Sequence, residues 1–171
     1  MTNEQNRPQG IVRRATPPVR LFRAWVALCV ALGLHVADEA TTGFLPVYNA
    51  TVLALRKNWA WLPMPVFRFD VWLAGLIAAI ATLVCLSPFI LRGVRWMRPV
   101  AYAFALLMLA NGLGHTLGTI FGRPVASVRF PRPMPGFLSS PCLLLASAYL
   151  LFELGRASRR EQAGPLHAEG F

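Results

Sequence analysis

Long apolar runs alternate along the chain with short basic or proline-rich stretches. A helix of about 20 apolar residues crosses the hydrocarbon of a bilayer. The pattern therefore predicts an all-α fold, a polytopic membrane four-helix bundle formed by residues 21–155. The predicted spans are residues 21–40, 70–91, 98–121 and 136–155. Residues 1–20 read as a disordered basic tail, because they are polar and rich in arginine and proline, and residues 156–171 as a polar tail.

The connection between the first two spans, residues 41–69, is long and contains Tyr48, Trp59 and Trp61. Such rings prefer the membrane interface, where the ring is half buried and its polar atom stays wet. Residues 50–59 form a predicted short helix. We expect this first extramembrane loop to be partly interfacial and to lie on the membrane surface as a lid.

Composition supports a membrane protein, because 56% of the 171 residues are hydrophobic and 14% are charged. The net charge of +10 does not indicate a nucleic-acid partner, since the arginines lie between apolar runs and form no basic stripe. Of the 17 Lys and Arg residues, eleven fall on the side of both termini and six on the other. This bias predicts that both termini are cytoplasmic, and we expect a bacterial inner (plasma) membrane.

Two of the predicted spans carry polar residues at helical spacing: His35, Asp38 and Glu39 in the first, and Asn111 and His115 in the third. At 1.5 Å per residue, the two histidines lie about 18 and 26 Å from the inner surface, in the outer half of the bilayer. Polar groups in lipid face the bundle interior and one another. We therefore expect one cluster of these side chains beneath the outer surface.

Imidazoles and carboxylates at this spacing suit a divalent metal such as zinc or iron. The leading hypothesis has His35, Glu39 and His115 as metal ligands and Asp38 as a further ligand or a general base. Asn111 and Ser139 would position a lipid-like substrate for a metal-dependent membrane hydrolase or oxidoreductase. Three alternatives stay open: metal-free acid–base catalysis, transport of protons or a cation, and a structural subunit whose polar residues bond helix to helix.

Two further patterns concern helix contacts. Gly114, Gly118 and Gly122 recur every fourth residue, which favours close approach of a helix and a homo-oligomer. The fourth span begins at Pro135 with a kink at Pro141, or has Ser140 as N-cap before Pro141. The second arrangement points helix N–H groups at the polar layer, where they would hold an anionic group.

Residues 35–39, His-Val-Ala-Asp-Glu, resemble the HxxEE signature of the HXXEE-domain family of small integral membrane proteins. Residues 111–115 are similar to its NxxxH motif, and residues 133–139 to its YxPGxxT motif. Asp38 stands in place of the first glutamate, Pro133 in place of the tyrosine and Ser139 in place of the threonine. The resemblance implies a four-helix membrane fold with a candidate active site, and it implies no particular activity.

Overall fold

The computed structural model describes residues 17–61, 63–122 and 128–163. The regular structure of these ranges is helical, as predicted. Five helices follow in chain order: α1 (Pro17–Thr42), α2 (Phe44–Asn58), α3 (Phe69–Leu91), α4 (Met97–Phe121) and α5 (Ser140–Ala163).

The predicted tails are shorter than expected where the structure describes them. α1 already begins at Pro17, inside the predicted N-terminal tail, and α5 continues to Ala163, inside the predicted C-terminal one. The remaining parts of both predictions, residues 1–16 and 164–171, lie outside the described residues. The helix that was predicted over residues 136–155 begins at Ser140, after a turn over residues 135–139.

α1 is the central helix, because it packs along α3 on one side and along α5 on the other, and α5 in turn packs along α4. The core between them is apolar, with Trp25 of α1 fully buried. Its ring lies edge-on to Phe104 of α4, with centroids 5.2 Å apart, and its indole N–H donates to the Leu83 carbonyl of α3. One α1 side chain therefore ties three helices together.

Of the helices that the structure describes, three are long and apolar enough to cross a membrane: Pro18–Thr42, Phe69–Leu91 and Met97–Phe121. α5 is not among them, because its second half carries Glu153, Arg156 and further arginines. The prediction of membrane helices is thus confirmed for three segments, and the fourth span stays a prediction.

α2 is longer than the predicted surface helix and is fixed to the segment that leads into α3. The side-chain amide of Asn49 donates to the Phe67 carbonyl at 2.9 Å and accepts the Phe67 N–H at 3.1 Å. Tyr48 donates to the carbonyl of Pro65, and Arg56 to that of Met64. These bonds hold α2 near the start of α3, where Phe44 lies against Trp72.

The predicted glycine strip on α4 is largely covered by the chain itself. A Cβ at Gly118 would meet the Met134 sulfur and the Phe130 ring, and one at Gly122 would meet the Arg132 guanidinium. Gly114 has nothing within 4 Å of its Cβ position. The segment before α5, and not a second copy, therefore occupies two of the three glycines, and a homo-oligomer stays a prediction.

We expect Gly118→Val to destabilise the fold by about 1–3 kcal/mol, since the new side chain must displace Met134 and Phe130 from α4. Gly114→Val, one turn earlier on the same helix, is the matched control and should change stability by less than about 0.5 kcal/mol. Thermal unfolding of both variants in one detergent measures the difference. Equal destabilisation would contradict the packing described here, and loss of a dimer in Gly114→Val alone would restore the strip as an interface.

Candidate metal centre

Three buried polar side chains meet between α1, α4 and the 135–139 turn. His35, Glu39 and His115 are 0%, 5% and 2% exposed. Glu39 Oε1 lies 3.4 Å from Nε2 of His35, which is one helical turn earlier on α1. The same oxygen lies 3.0 Å from Nε2 of His115 on α4. The two imidazole rings stand edge to face with centroids 4.7 Å apart. A single carboxylate oxygen is therefore shared between two histidines from different helices.

The 135–139 turn determines which nitrogen of His115 carries its proton. Nδ1 of His115 lies 2.6 Å from the carbonyl oxygen of Pro135. A carbonyl only accepts, so Nδ1 must be the donor. In the neutral ring, Nε2 then presents a lone pair to Glu39.

Ser139 determines the proton on His35 in the same way. The hydroxyl of Ser139 lies 2.7 Å from Asp38 Oδ2 and 3.1 Å from the Gly136 carbonyl, and both of these oxygens only accept. Its proton is directed to one of them, so the hydroxyl oxygen accepts from His35 Nδ1 at 2.8 Å. Nε2 of His35 is buried without a hydrogen-bond partner.

When both rings are neutral, each imidazole therefore aims an unprotonated Nε2 at the same carboxylate oxygen. Electron pairs facing one another without a proton or cation are repulsive, and a buried acceptor without a partner costs about 1–3 kcal/mol. A proton on His115 Nε2 would satisfy the 3.0 Å contact and would leave Nε2 of His35 unsatisfied. A cation between the three atoms satisfies all of them.

The geometry fits a small divalent metal. One ligand atom from each of the three residues lies within 4.8 Å of the others. With bonds of about 2.0–2.1 Å, ligand atoms of a tetrahedral zinc site are about 3.3 Å apart, close to the two distances from Glu39. Histidines that bind metals usually donate their other ring N–H to a carboxylate, a backbone carbonyl or water. Here His115 donates to the Pro135 carbonyl, and His35 donates to the Ser139 hydroxyl, which in turn bonds to Asp38. The arrangement can hold a metal by two nitrogens and one oxygen.

Gly136 and Phe44 close the cluster from outside. Gly136 has φ +83°, and a Cβ there would lie 2.8 Å from His115 Cε1 and 3.0 Å from Glu39 Cγ. Its N–H donates to the Thr42 hydroxyl at the end of α1. The ring of Phe44 stacks at a tilt on His115, with centroids 5.2 Å apart.

The predicted site residues fall into two groups. His35, Glu39 and His115 lie together, as expected. Asp38 is outside the group of three possible ligands, because its side chain turns to Ser139 and accepts both the hydroxyl and the backbone N–H. Asn111 is half buried one turn before His115, and within the described residues it forms no hydrogen bond to the cluster. The predicted roles of these residues stay predictions.

The start of α5 differs from both predicted arrangements. The Ser139 carbonyl accepts the Leu143 N–H, so the helix begins at Ser140 with Pro141 in its first turn. The hydroxyl of Ser140 donates to the Gly136 carbonyl and caps no N–H group. The anionic group expected at this end is Asp38 of the same chain.

Sequence reasoning missed the roles of Pro135, Gly136 and Phe44. The Pro-Gly pair signalled a turn, but nothing in the sequence placed that turn against His115. The contact from Pro135 is made by its backbone carbonyl, which every residue carries, so the residue type gives no signal for it.

No protein-family model, curated protein or solved structure matches this chain. The geometry of the cluster therefore carries the functional argument.

We expect Gly136→Ala to destabilise the protein more than Gly43→Ala. Both glycines have positive φ, +83° and +79°, so both alanines incur about 1–2 kcal/mol of backbone strain. Only at Gly136 does the added Cβ also press on His115 and Glu39, which adds about 1–3 kcal/mol. Thermal unfolding in detergent compares the two variants, and equal losses would show that the turn does not press on the cluster.

Proposed function

We propose that this chain is an integral membrane enzyme with a divalent transition metal bound by His35, Glu39 and His115, and that it acts on a lipid-like substrate. The observation that carries the proposal is the convergence of two Nε2 atoms on Glu39, with each ring held by a hydrogen bond from its own Nδ1. We further propose membership of the HXXEE-domain family, supported by its three motifs meeting at this one place in the fold.

Insertion of four helices is supported by the side chains that face outward. On α5 the apolar residues Leu145, Tyr149 and Phe152 are exposed at helical spacing. Large apolar side chains are exposed on α3 and α4 as well, for example Ile77, Val84 and Leu107. A surface of this kind is stable against lipid and unfavourable against water. α5 lies along α1 and α4, so it would cross the same thickness.

A bound divalent metal would supply a Lewis acid that activates water or polarises a substrate oxygen. Two histidines and one carboxylate leave further coordination positions open, as in catalytic rather than structural sites. Ser139 holds the Nδ1 proton of His35, and Asp38 holds Ser139. Asp38 and Ser139 are half buried and therefore form the most accessible polar pair of the site.

The lipid-like substrate is supported by an apolar groove beside this pair. The groove, of about 540 Å³, runs between α1 and α5 and is lined by residues such as Ala27, Ala31, Leu34, Cys142 and Ala146. Leu34 directly precedes His35, and Cys142 lies three residues after Ser139. An acyl chain in the groove would bring a polar group at its end to Asp38 and Ser139.

Purified wild-type protein, loaded with zinc or with iron(II) under anaerobic conditions, should hold about one metal per chain. His115→Ala and Glu39→Gln should each lose it, because two ligands from the cluster do not suffice for tight binding. His167→Ala, outside the described residues, is the matched control and should retain the metal. Inductively coupled plasma mass spectrometry measures the number of metal ions per chain.

The same experiment decides between the readings of the cluster. If the wild-type protein holds no stoichiometric metal under either condition, the proposal of a metal-dependent enzyme is excluded. The cluster would then be a protonated His115–Glu39 pair. Retention of zinc favours hydrolysis, since zinc has no redox chemistry, whereas retention of iron(II) favours oxidation.

Ser139→Ala should weaken metal affinity about 10- to 100-fold, because His35 loses the acceptor that fixes its Nδ1 proton. Ser139→Thr keeps the hydroxyl and should restore affinity close to the wild-type value. Competition with a chromophoric chelator measures both variants. Unchanged affinity in Ser139→Ala would exclude a positioning role for this hydroxyl.

A further inference from the structure

A second cavity lies at the opposite end of the helices from the metal cluster. Its volume is about 350 Å³, and it is enclosed by the start of α1, the turn between α3 and α4, and the end of α5. The wall is largely apolar and the rim carries guanidinium groups. The lining includes Leu21, Ile90, Val94, Met97, Ala157 and Arg160.

The cavity lies at the depth where membrane helices end. Leu21 is in the first turn of the α1 span, Ile90 is next to the last residue of α3, and Met97 is the first residue of α4. For a protein inserted as proposed above, this level is the boundary between lipid headgroups and hydrocarbon. The inference rests on membrane insertion and is independent of the metal.

The charged side chains that the structure describes around the cavity are almost all positive. The arginines described at this end are Arg20, Arg23, Arg92, Arg95, Arg98, Arg156, Arg159 and Arg160, and Glu153 is the one carboxylate among the side chains described there. Clustered cations at headgroup depth attract anionic groups, and guanidinium groups match the geometry of a phosphate. A ligand with a negative head and an apolar body therefore complements this cavity.

We propose that the cavity binds one anionic phospholipid, with its phosphate at Arg160. The first part of an acyl chain lies against Leu21, Ile90 and Val94. Free phosphate would leave these apolar walls uncovered, and a zwitterionic lipid would bring a second cation to a rim that is already positive. A single anionic phospholipid satisfies both the charge and the apolar surface.

The test uses the full chain in nanodiscs of phosphatidylcholine with one tenth phosphatidylglycerol, and native mass spectrometry of the released protein. The wild type should retain one phosphatidylglycerol in preference to phosphatidylcholine. Arg160→Gln should reduce this retention about fivefold, the effect expected of one basic side chain near an anionic headgroup. Arg159→Gln removes the same charge next to the cavity without lining it and should retain the lipid.

A second variant separates an enclosed site from a diffuse positive field. Ala157→Phe fills the cavity and leaves every charge in place, so it should also lose the bound lipid. Full retention in Ala157→Phe, equal loss in Arg159→Gln and Arg160→Gln, or wild-type protein without bound phosphatidylglycerol would each overturn the proposal. Metal content measured on the same samples should be unchanged, which separates failure of this proposal from failure of the metal centre.

Discussion

The contact on which the structure depends is the shared oxygen of Glu39 between the imidazoles of His35 and His115. Three polar side chains that are all at least 95% buried would be strongly destabilising if they were unpaired. Together they form a compensated group, and the compensation is complete only when a positive charge lies among them. Without a ligand these three side chains destabilise the fold, and the same atoms are well placed to bind a cation.

The 135–139 turn determines which ring nitrogens of His35 and His115 face Glu39. Its carbonyl at Pro135 and its hydroxyl at Ser139 bind the Nδ1 atoms of the two histidines, so both Nε2 atoms face inward. Gly136 lets the turn approach closely enough to do this. Hydrogen bonds around a site determine what its central atoms can bind, because they decide where protons are absent.

The two ends of the packed helices carry different kinds of polar groups. At the cluster end, polar side chains form defined hydrogen bonds, and Nε2 of His35 is left without one. At the other end, many arginines surround an apolar cavity with a single described carboxylate nearby. The first arrangement suits a small, highly charged ligand, and the second suits an amphiphilic anion.

The sequence by itself determined the helical class, three membrane-like segments, and the two histidines and one carboxylate that meet. Helical spacing places His35 and Glu39 on one face, and depth in the bilayer places His115 at a similar level, so these residues follow from one-dimensional rules. Only the tertiary structure decided that Asp38 turns to Ser139, that Gly118 is covered by Met134, and that Asn111 stays apart from the cluster. These outcomes depend on the path of the segment between α4 and α5. That path is decided by backbone contacts and close packing across long sequence separations, which leave no periodic signal in the chain.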